Sequence, residues 1–269
     1  DKAENHEEYP LLAKSLLFLG RYYLRTGFYQ ESIDCFKKSI ALAEEKGLKG
    51  IRQRGYEGQA TVFGTVKDIK SNIANLMKMI EVALEENDML FAETGLLRLG
   101  TLYTEASRDF KLADSTLREC VRLSLITNDS YYTAYAYANL GWNYYREQMY
   151  DSSLACYERS LKYSLPSKQL GNSSNALGNI GTIYRDLGDY NKALKYYSKS
   201  LEQAKANNDW YTLSWVYKDM SNLYISMKDT SKAFETYVLY KQYSDSDLTR
   251  KSTLGLAEAR IRYDADTHN

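Results

Sequence analysis

Aromatic rings and hydrogen-bonding side chains recur at helical spacing in the C-terminal half of this 269-residue chain. Trp142 stands three residues before Tyr145 and four before Arg146, and Trp215 stands three residues before Lys218. Side chains three or four residues apart lie on one face of a helix, so each run can present a ring beside a charged group. Large aromatic side chains with polar neighbours are the usual anchors of a recognition surface. These residues therefore indicate binding chemistry.

The sequence offers little for catalysis. The only two histidines, His6 and His268, lie in the terminal segments, so no internal imidazole can serve as a general base or a metal ligand. No glycine-rich phosphate loop or nucleophile-elbow motif is present. The cysteines lack a Cys-x-x-Cys spacing and are interpreted as small buried hydrophobic residues: Cys35, Cys120 and Cys156. We expect no enzymatic activity, no metal site and no cofactor.

Charge and hydropathy argue against further classes of partner. The 35 basic and 35 acidic residues balance, so the chain as a whole is not drawn to nucleic acid or to acidic membranes. No run of 18 apolar residues is present, so we expect no membrane span within this segment. The chain starts at Asp1 rather than at Met and shows no leader motif, which is typical of a mature or trimmed polypeptide.

A short signature returns six times and sets the organisation of the chain. In most copies a small residue follows an apolar one and precedes an aromatic residue by three positions. The small residues are separated by intervals of 40, 40, 41, 40 and 40 residues: Gly20, Ala60, Gly100, Gly141, Gly181 and Ser221. A fixed period of this length indicates a solenoid of stacked helix pairs. We predict an all-α fold of six antiparallel helix pairs with one further C-terminal helix and no sheet.

The fifth repeat illustrates the helix pair. Leu177, Ile180, Gly181 and Tyr184 form one apolar stripe at helical period, and a new helix begins after Gly188. The breaks within the six pairs are predicted at residues 26–29, 66–69, 107–110, 148–150, 188–190 and 229–230. Aspartates twelve residues before three of the small residues are predicted to cap first helices: Asp88, Asp129 and Asp209. The third repeat carries one extra residue, which the pattern places near Lys111.

Each first helix carries a second stripe that does not face the core. When the small residue is counted as position 8, core residues fall at positions 4, 7, 8 and 11. Positions 2, 5, 9 and 12 then lie about 140° around the helix. In repeats four to six this stripe and its neighbours hold the candidate binding residues: Tyr135, Trp142, Tyr145, Arg146, Arg185, Trp215, Lys218 and Asn222. We predict that ligand binding depends on them.

At these positions the chain resembles the tetratricopeptide repeat (TPR) family, whose loose consensus places Leu, Gly and Tyr on the first helix and Ala and an aromatic residue on the second. The resemblance divides the chain into an N-terminal segment (1–8), a six-repeat array (9–246) and a capping or linker helix with a tail (247–269). It implies a right-handed superhelix whose concave groove, lined by the second stripe, binds peptides or protein segments without catalysis. The period of 40 exceeds the usual 34 and resembles bacterial peptide-sensing regulators and kinesin light chains.

The tail resembles the exit from TPR sensor regions of bacterial membrane-bound transcriptional regulators or histidine kinases. In that resemblance the run Ser-Asp-Ser-Asp after Tyr243 is a turn, and a charged helical stretch that reaches Tyr263 follows it. Two roles stay open for this helix, a cap on the last repeat and a linker to an output domain. The resemblance favours a periplasmic or extracytoplasmic location, and it makes the C-terminal helix a candidate homodimer contact.

The class of ligand is left open by the sequence. Lys218 and Asn222 are spaced as in the carboxylate clamp of the TPR family, but that clamp needs partners in later repeats, and repeat six is the last. We therefore reject a complete clamp. An open groove across several repeats would favour a peptide or protein segment. A pocket closed on several sides would favour a small molecule or glycan, stacked on Trp142, Tyr145 and Trp215.

Overall fold

The computed structural model describes residues 5–164 and 170–267, with side chains described for 8–164 and 171–249. All regular structure in these residues is helical, so the all-α prediction is confirmed. The helices are α1 Asn5–Thr26, α2 Tyr29–Lys46, α3 Arg52–Thr65, α4 Ile69–Glu85, α5 Met89–Leu102, α6 Phe110–Ile126, α7 Ser130–Arg146, α8 Tyr150–Ser164, α9 Leu170–Asp186, α10 Tyr190–Ala206, α11 Trp210–Ser226 and α12 Thr230–Thr267. The six predicted breaks coincide with helix ends to within a few residues.

The helices pack into two compact units, Asp1–Met149 and Tyr150–Asn269. In unit 1, α1 pairs with α2, α3 with α4 and α5 with α6, while α7 packs on α5 and α6. In unit 2, α9 pairs with α10 and α11 with α12, while α8 packs on α9. Within each unit the first helix of one repeat also contacts the first helix of the next: α1 with α3, α5 with α7, and α9 with α11.

The small residue at position 8 marks a close approach of the paired helices. A Cβ atom on Gly20 would lie 2.7 Å from the ring of Phe36, and one on Gly181 would lie 2.7 Å from the ring of Tyr197. Both rings are fully buried. In these two repeats a side chain at position 8 would therefore overlap a core ring, and on Gly100 it would overlap Leu117, which explains why a small residue recurs at this position.

Aspartate caps and left-handed turns repeat with the helices. The predicted caps are confirmed: Asp88, Asp129 and Asp209 each accept a hydrogen bond from a main-chain N–H in the first turn of a first helix. Second helices are capped in the same way by aspartates that were not predicted: Asp68, Asp109, Asp189 and Asp229. The turn within each repeat contains a residue with positive φ: Gly27, Lys67, Arg108, Gln148, Gly188 and Lys228.

The extra residue of the third repeat lies earlier than predicted. It is absorbed by a π-helical turn, Tyr103–Ser107, at the end of α5, and not near Lys111. Arg108 then adopts a left-handed conformation, and Asp109 caps α6 in the usual way. A π-turn accommodates one additional residue without breaking the helix, so the repeat regains its register before α6 begins.

The C-terminal helix also differs from the prediction, because it continues the second helix of repeat six. The segment after Tyr243, expected as a turn, is helical within α12. Residues 244–254 contain no Gly or Pro. Lys241 pairs with Asp245 at 3.6 Å, and the hydroxyl of Thr249 donates to the carbonyl of Asp245. Tyr243 stacks on Tyr217 of α11, with ring centroids 5.6 Å apart. The side chains beyond residue 249, including much of the predicted capping helix, lie outside the described residues.

The cysteines behave as predicted in two of three cases. Cys35 and Cys120 are buried thiols, whereas Cys156 is partly exposed. The Sγ atom of Cys120 lies 3.6 Å from the carbonyl oxygen of Glu93, and burial raises the pKa of the thiol to about 12. Cys120 is therefore a packing residue rather than a nucleophile.

Glu93 is a buried carboxyl group in the core of unit 1. Its side chain is 1% exposed and accepts a hydrogen bond from the Thr127 hydroxyl at 2.6 Å. Burial raises the pKa of Glu93, the Thr127 bond opposes this, and the nearby charge of Asp129 raises it further. In repeat two the corresponding residue is Gln53, which donates to the capping Asp88 at 3.3 Å.

We expect Glu93→Gln to stabilise unit 1 at neutral pH. In the parent, the unfolded chain ionises Glu93 near pH 4.5 while the folded chain retains the proton, so stability falls as pH rises toward the folded-state pKa. The amide carries no charge to desolvate and can donate to Asp129 as Gln53 does to Asp88. Thermal unfolding from acid to neutral pH should show a higher melting temperature for Glu93→Gln than for the parent at neutral pH. The difference should disappear in acid. Exposed Glu81→Gln is the control, and equal profiles for both variants would contradict this account.

Candidate functional site

The first helices are linked by one polar contact that recurs between adjacent repeats. A threonine at position 9 of one repeat bonds to position 6 of the next, at distances of 3.2, 3.1 and 2.9 Å: Thr61 with Arg98, Thr101 with Asn139, and Thr182 with Asp219. Part of the predicted binding stripe is therefore used to align neighbouring repeats. We call the side of the first helices that carries the predicted binding stripe the first-helix face. The positions of this face that are not used between repeats are the candidate site.

In unit 1, four side chains form a cluster that we call the Trp142 platform: Glu105, Trp142, Tyr145 and Arg146. The rings of Trp142 and Tyr145 stack with centroids 5.2 Å apart and planes inclined by 24°. The guanidinium of Arg146 lies 5.7 Å from the Trp142 ring. Glu105, from the π-helical turn, pairs with Arg146 at 3.0 Å and accepts a hydrogen bond from the Trp142 indole nitrogen. The carboxylate thus orients both the ring and the cation.

The platform has the chemistry of a recognition surface. Trp142, Tyr145 and Arg146 are all partly exposed, and none is wholly buried. Stacked aromatic faces offer apolar area at small entropic cost, while the guanidinium offers donors to carbonyl or carboxylate groups. The sequence predicted these three residues but not Glu105. The sequence feature that could have identified Glu105 is an acidic residue in the repeat that contains the extra residue.

Tyr135, the fourth predicted residue of unit 1, is partly buried near the start of α7. Its ring lies 4.6 Å from that of Tyr131, with planes inclined by 41°. Tyr131 in turn meets Tyr132 edge to face at 5.2 Å. Tyr135 therefore belongs to an aromatic cluster at the start of α7, and its contact with a ligand stays a prediction.

In unit 2, Arg185 is held by carboxylates. It pairs with Asp186 at 2.8 Å and with Asp219 of the next first helix at 3.0 Å. Asp219 also accepts a hydrogen bond from Thr182 at 2.9 Å. Burial alone would lower the pKa of Arg185, but Asp219 and Asp186 outweigh it and hold the pKa above its usual value. The network gives Arg185 a role between repeats, and its predicted ligand contact is untested.

We expect Asp219→Ala to destabilise unit 2 by about 1–3 kcal/mol, because Thr182 and Arg185 lose a shared acceptor in a half-buried site. Urea denaturation measures the change. Asp186→Ala is the matched control and should cost less, since Arg185 keeps Asp219. Equal stability of the Asp219 variant and the parent would mean that Arg185 does not link the repeats.

The other predicted residues of unit 2 lie along α11. Trp215 is half-buried, and its ring lies so close to Gly178 that a Cβ atom there would approach it to 2.3 Å. Lys218 and Asn222 are exposed, and the Lys218 ammonium lies 5.8 Å from the ring of Tyr240. Trp215 therefore fills the space left by a glycine of the preceding repeat, whereas Lys218 and Asn222 remain accessible.

Two further features bear on chemistry. Among the described residues, no three His, Cys, Asp or Glu side chains are grouped to hold a metal ion. Within the same part of the chain, no helix has the combined length and apolar character that crossing a bilayer requires. Neither the side chain of His6 nor any part of His268 belongs to the described residues, so the structure does not test the prediction made from these two histidines.

Profiles of the tetratricopeptide repeat family match residues 172–238, 13–46 and 134–165. Together with the repeat geometry, these matches show that the chain belongs to the tetratricopeptide repeat proteins. It is accordingly an α-helical solenoid of the kind that serves as a protein-interaction scaffold. A comparison with curated proteins gave no match.

Solved structures share the fold at low sequence identity. BtubC from P. vanneervenii is 15% identical, with a TM-score of 0.67 over 81% of this chain and 91% of that protein. A signal transduction ATPase with a tetratricopeptide repeat sensor from Pyrococcus horikoshii is 12% identical, with a TM-score of 0.71 over 89% of this chain and 38% of that protein. A Rap protein complexed with competence and sporulation factor is 14% identical, with a TM-score of 0.59 over 88% and 76%.

Proposed function

We propose that this chain is the ligand-recognition region of a signalling protein and that it binds a peptide or protein segment on its first-helix face. Binding is centred on the Trp142 platform in unit 1. The chain acts by binding rather than by catalysis. The observation that carries the proposal is the stacked Trp142–Tyr145 pair, partly exposed and oriented by a carboxylate from the preceding repeat.

The sensor role is supported by the structural neighbours and by the chemistry of the platform. One neighbour uses a tetratricopeptide repeat array of this fold as its sensor, and another was crystallised with competence and sporulation factor. A peptide offers what the platform can take: apolar side chains for the two rings, and carbonyl or carboxylate oxygens for Arg146.

The class of ligand can be tested by parallel selection. A random peptide display library and a glycan array are screened with the parent chain and with Trp142→Ala. We expect peptides that are enriched on the parent and lost on the variant. Glycans with this dependence on Trp142 would instead make the chain a carbohydrate receptor, because sugar rings also stack on flat aromatic faces. Enriched peptides that bind both proteins equally would place recognition elsewhere.

A further inference from the structure

A cavity of about 340 Å³ opens in unit 1 between residues 14–21 of α1 and the start of α3. Leu17 and Ile51 are buried beside it, and Phe18 stands at its edge with 69% of its surface exposed. The volume lies at the lower end of the range for ligand pockets, enough for one or two large side chains. These residues belong to repeats one and two, whereas the Trp142 platform belongs to repeats three and four.

The edge formed by the α2–α3 connection is held in place. Gly47 and Gly50 both have positive φ, and the N–H of Gly50 donates to the carboxylate of Glu86 at 2.6 Å. Arg52 donates to the same carboxylate at 3.0 and 3.1 Å. The end of α4 therefore fixes this connection, so a ligand meets a preformed pocket and little ordering is needed on binding.

The residues around the cavity are strongly basic. Lys14, Arg21, Lys49 and Arg54 line it, and no carboxylate does so among the described lining residues. Arg21 forms a long ion pair with Glu57, with the nitrogen and oxygen atoms 3.7 Å apart. Lys14 and Lys49 are paired with no carboxylate within the described side chains. Since the whole chain carries no net charge, this rim is a local concentration of positive charge.

Arg54 is already placed for an anion. Its Nε donates to the carbonyl of Gly50 at 2.9 Å, and its guanidinium lies 5.0 Å from the ring of Phe91. These contacts orient the planar group, which reduces the entropy lost when it binds a carboxylate.

We propose that this cavity binds an acidic protein segment that inserts one large apolar side chain between flanking carboxylates. The apolar floor takes the inserted side chain, and Lys14, Lys49 and Arg54 take the carboxylates. The site is independent of the Trp142 platform, so either site can fail its test without affecting the other. A polyanion such as nucleic acid would use the basic rim but leave the apolar floor unfilled.

The test uses fluorescence polarisation with a labelled peptide in which one Leu is flanked by glutamates on both sides. We expect binding that weakens with added salt, and an at least tenfold loss when the Leu is replaced by Ser. The double variant Lys14→Glu/Arg54→Glu should lose about tenfold or more. Phe18→Ala should also weaken binding; because this ring is exposed, its removal should not unfold the chain. Melting curves check the fold of each variant.

The double variant Lys37→Glu/Lys38→Glu makes the same two charge reversals on the exposed surface of the second helix α2 and should leave binding unchanged. Equal losses from this control and from the rim variant would overturn the proposal, because total charge would then explain the binding. Equal affinity for the Leu and Ser peptides, or for an oligothymidine, would overturn it as well, since the apolar floor would have no part. Absence of peptide binding at low salt would also overturn the proposal.

Discussion

Replacing Gly181 by Leu should destabilise unit 2 by about 1–3 kcal/mol or more, the range for overpacking a well-packed core. A Cβ atom at this position would lie 2.7 Å from the ring of Tyr197, which is fully buried. The ring cannot turn aside without cost, because its hydroxyl lies 3.2 Å from Thr182 and 3.4 Å from Asp219. The strain would therefore reach both the helix pair and the contact between repeats.

The loss should be graded with side-chain size. Gly181→Ala should destabilise less than Gly181→Leu, and Lys192→Ala, on the exposed side of α10, should change little. Among the described side chains, Lys192 pairs with Asp189 alone, and its ammonium lies over the Tyr184 ring. Melting temperatures followed by circular dichroism give the ranking. Similar values for Gly181→Leu and Lys192→Ala would show that the helix faces are assigned wrongly.

Trp142→Ala should weaken binding of a selected peptide by about 2 kcal/mol or more, roughly thirtyfold. The substitution removes the ring that stacks on Tyr145 and leaves Arg146 without its aromatic neighbour. It leaves the Glu105–Arg146 ion pair in place, so the cluster keeps one of its two links between repeats. The affinity is measured by titration calorimetry with a peptide enriched in the selection.

The matched control is Phe234→Ala on α12, which removes an aromatic ring that is 69% exposed on a second helix. It should bind the peptide like the parent. Both variants should melt close to the parent, since neither ring is in the core. If Phe234→Ala weakened peptide binding as much as Trp142→Ala, the peptide would not be bound specifically on the first-helix face.

Features set by local chemistry were predictable from the sequence. The small residue at position 8 follows from the core side chain packed against it, and Asp88, Asp129 and Asp209 cap helices by contacts with the next few residues. The continuous α12 was missed because the residues after Tyr243 were interpreted from a family resemblance. Their own chemistry, including the Lys241–Asp245 pair, favours helix.

Contacts between repeats were less predictable. Glu105 and Asp219 act on residues 37 and 34 positions away, and such pairs depend on how adjacent first helices are rotated against each other. The π-helical turn that presents Glu105 uses the extra residue, which the repeat pattern detected but placed too late. The basic cavity depends on the α2–α3 connection, whose two left-handed glycines lie outside the helical periodicity.

The most direct test of the account maps where a selected peptide lies. A photo-crosslinking phenylalanine analogue is placed at Tyr145 in one protein and at Phe234 in another, and each is irradiated with the labelled peptide. We expect a crosslink from position 145 that unlabelled peptide competes away, and none from position 234. Crosslinking from position 234 alone would contradict recognition on the first-helix face of unit 1.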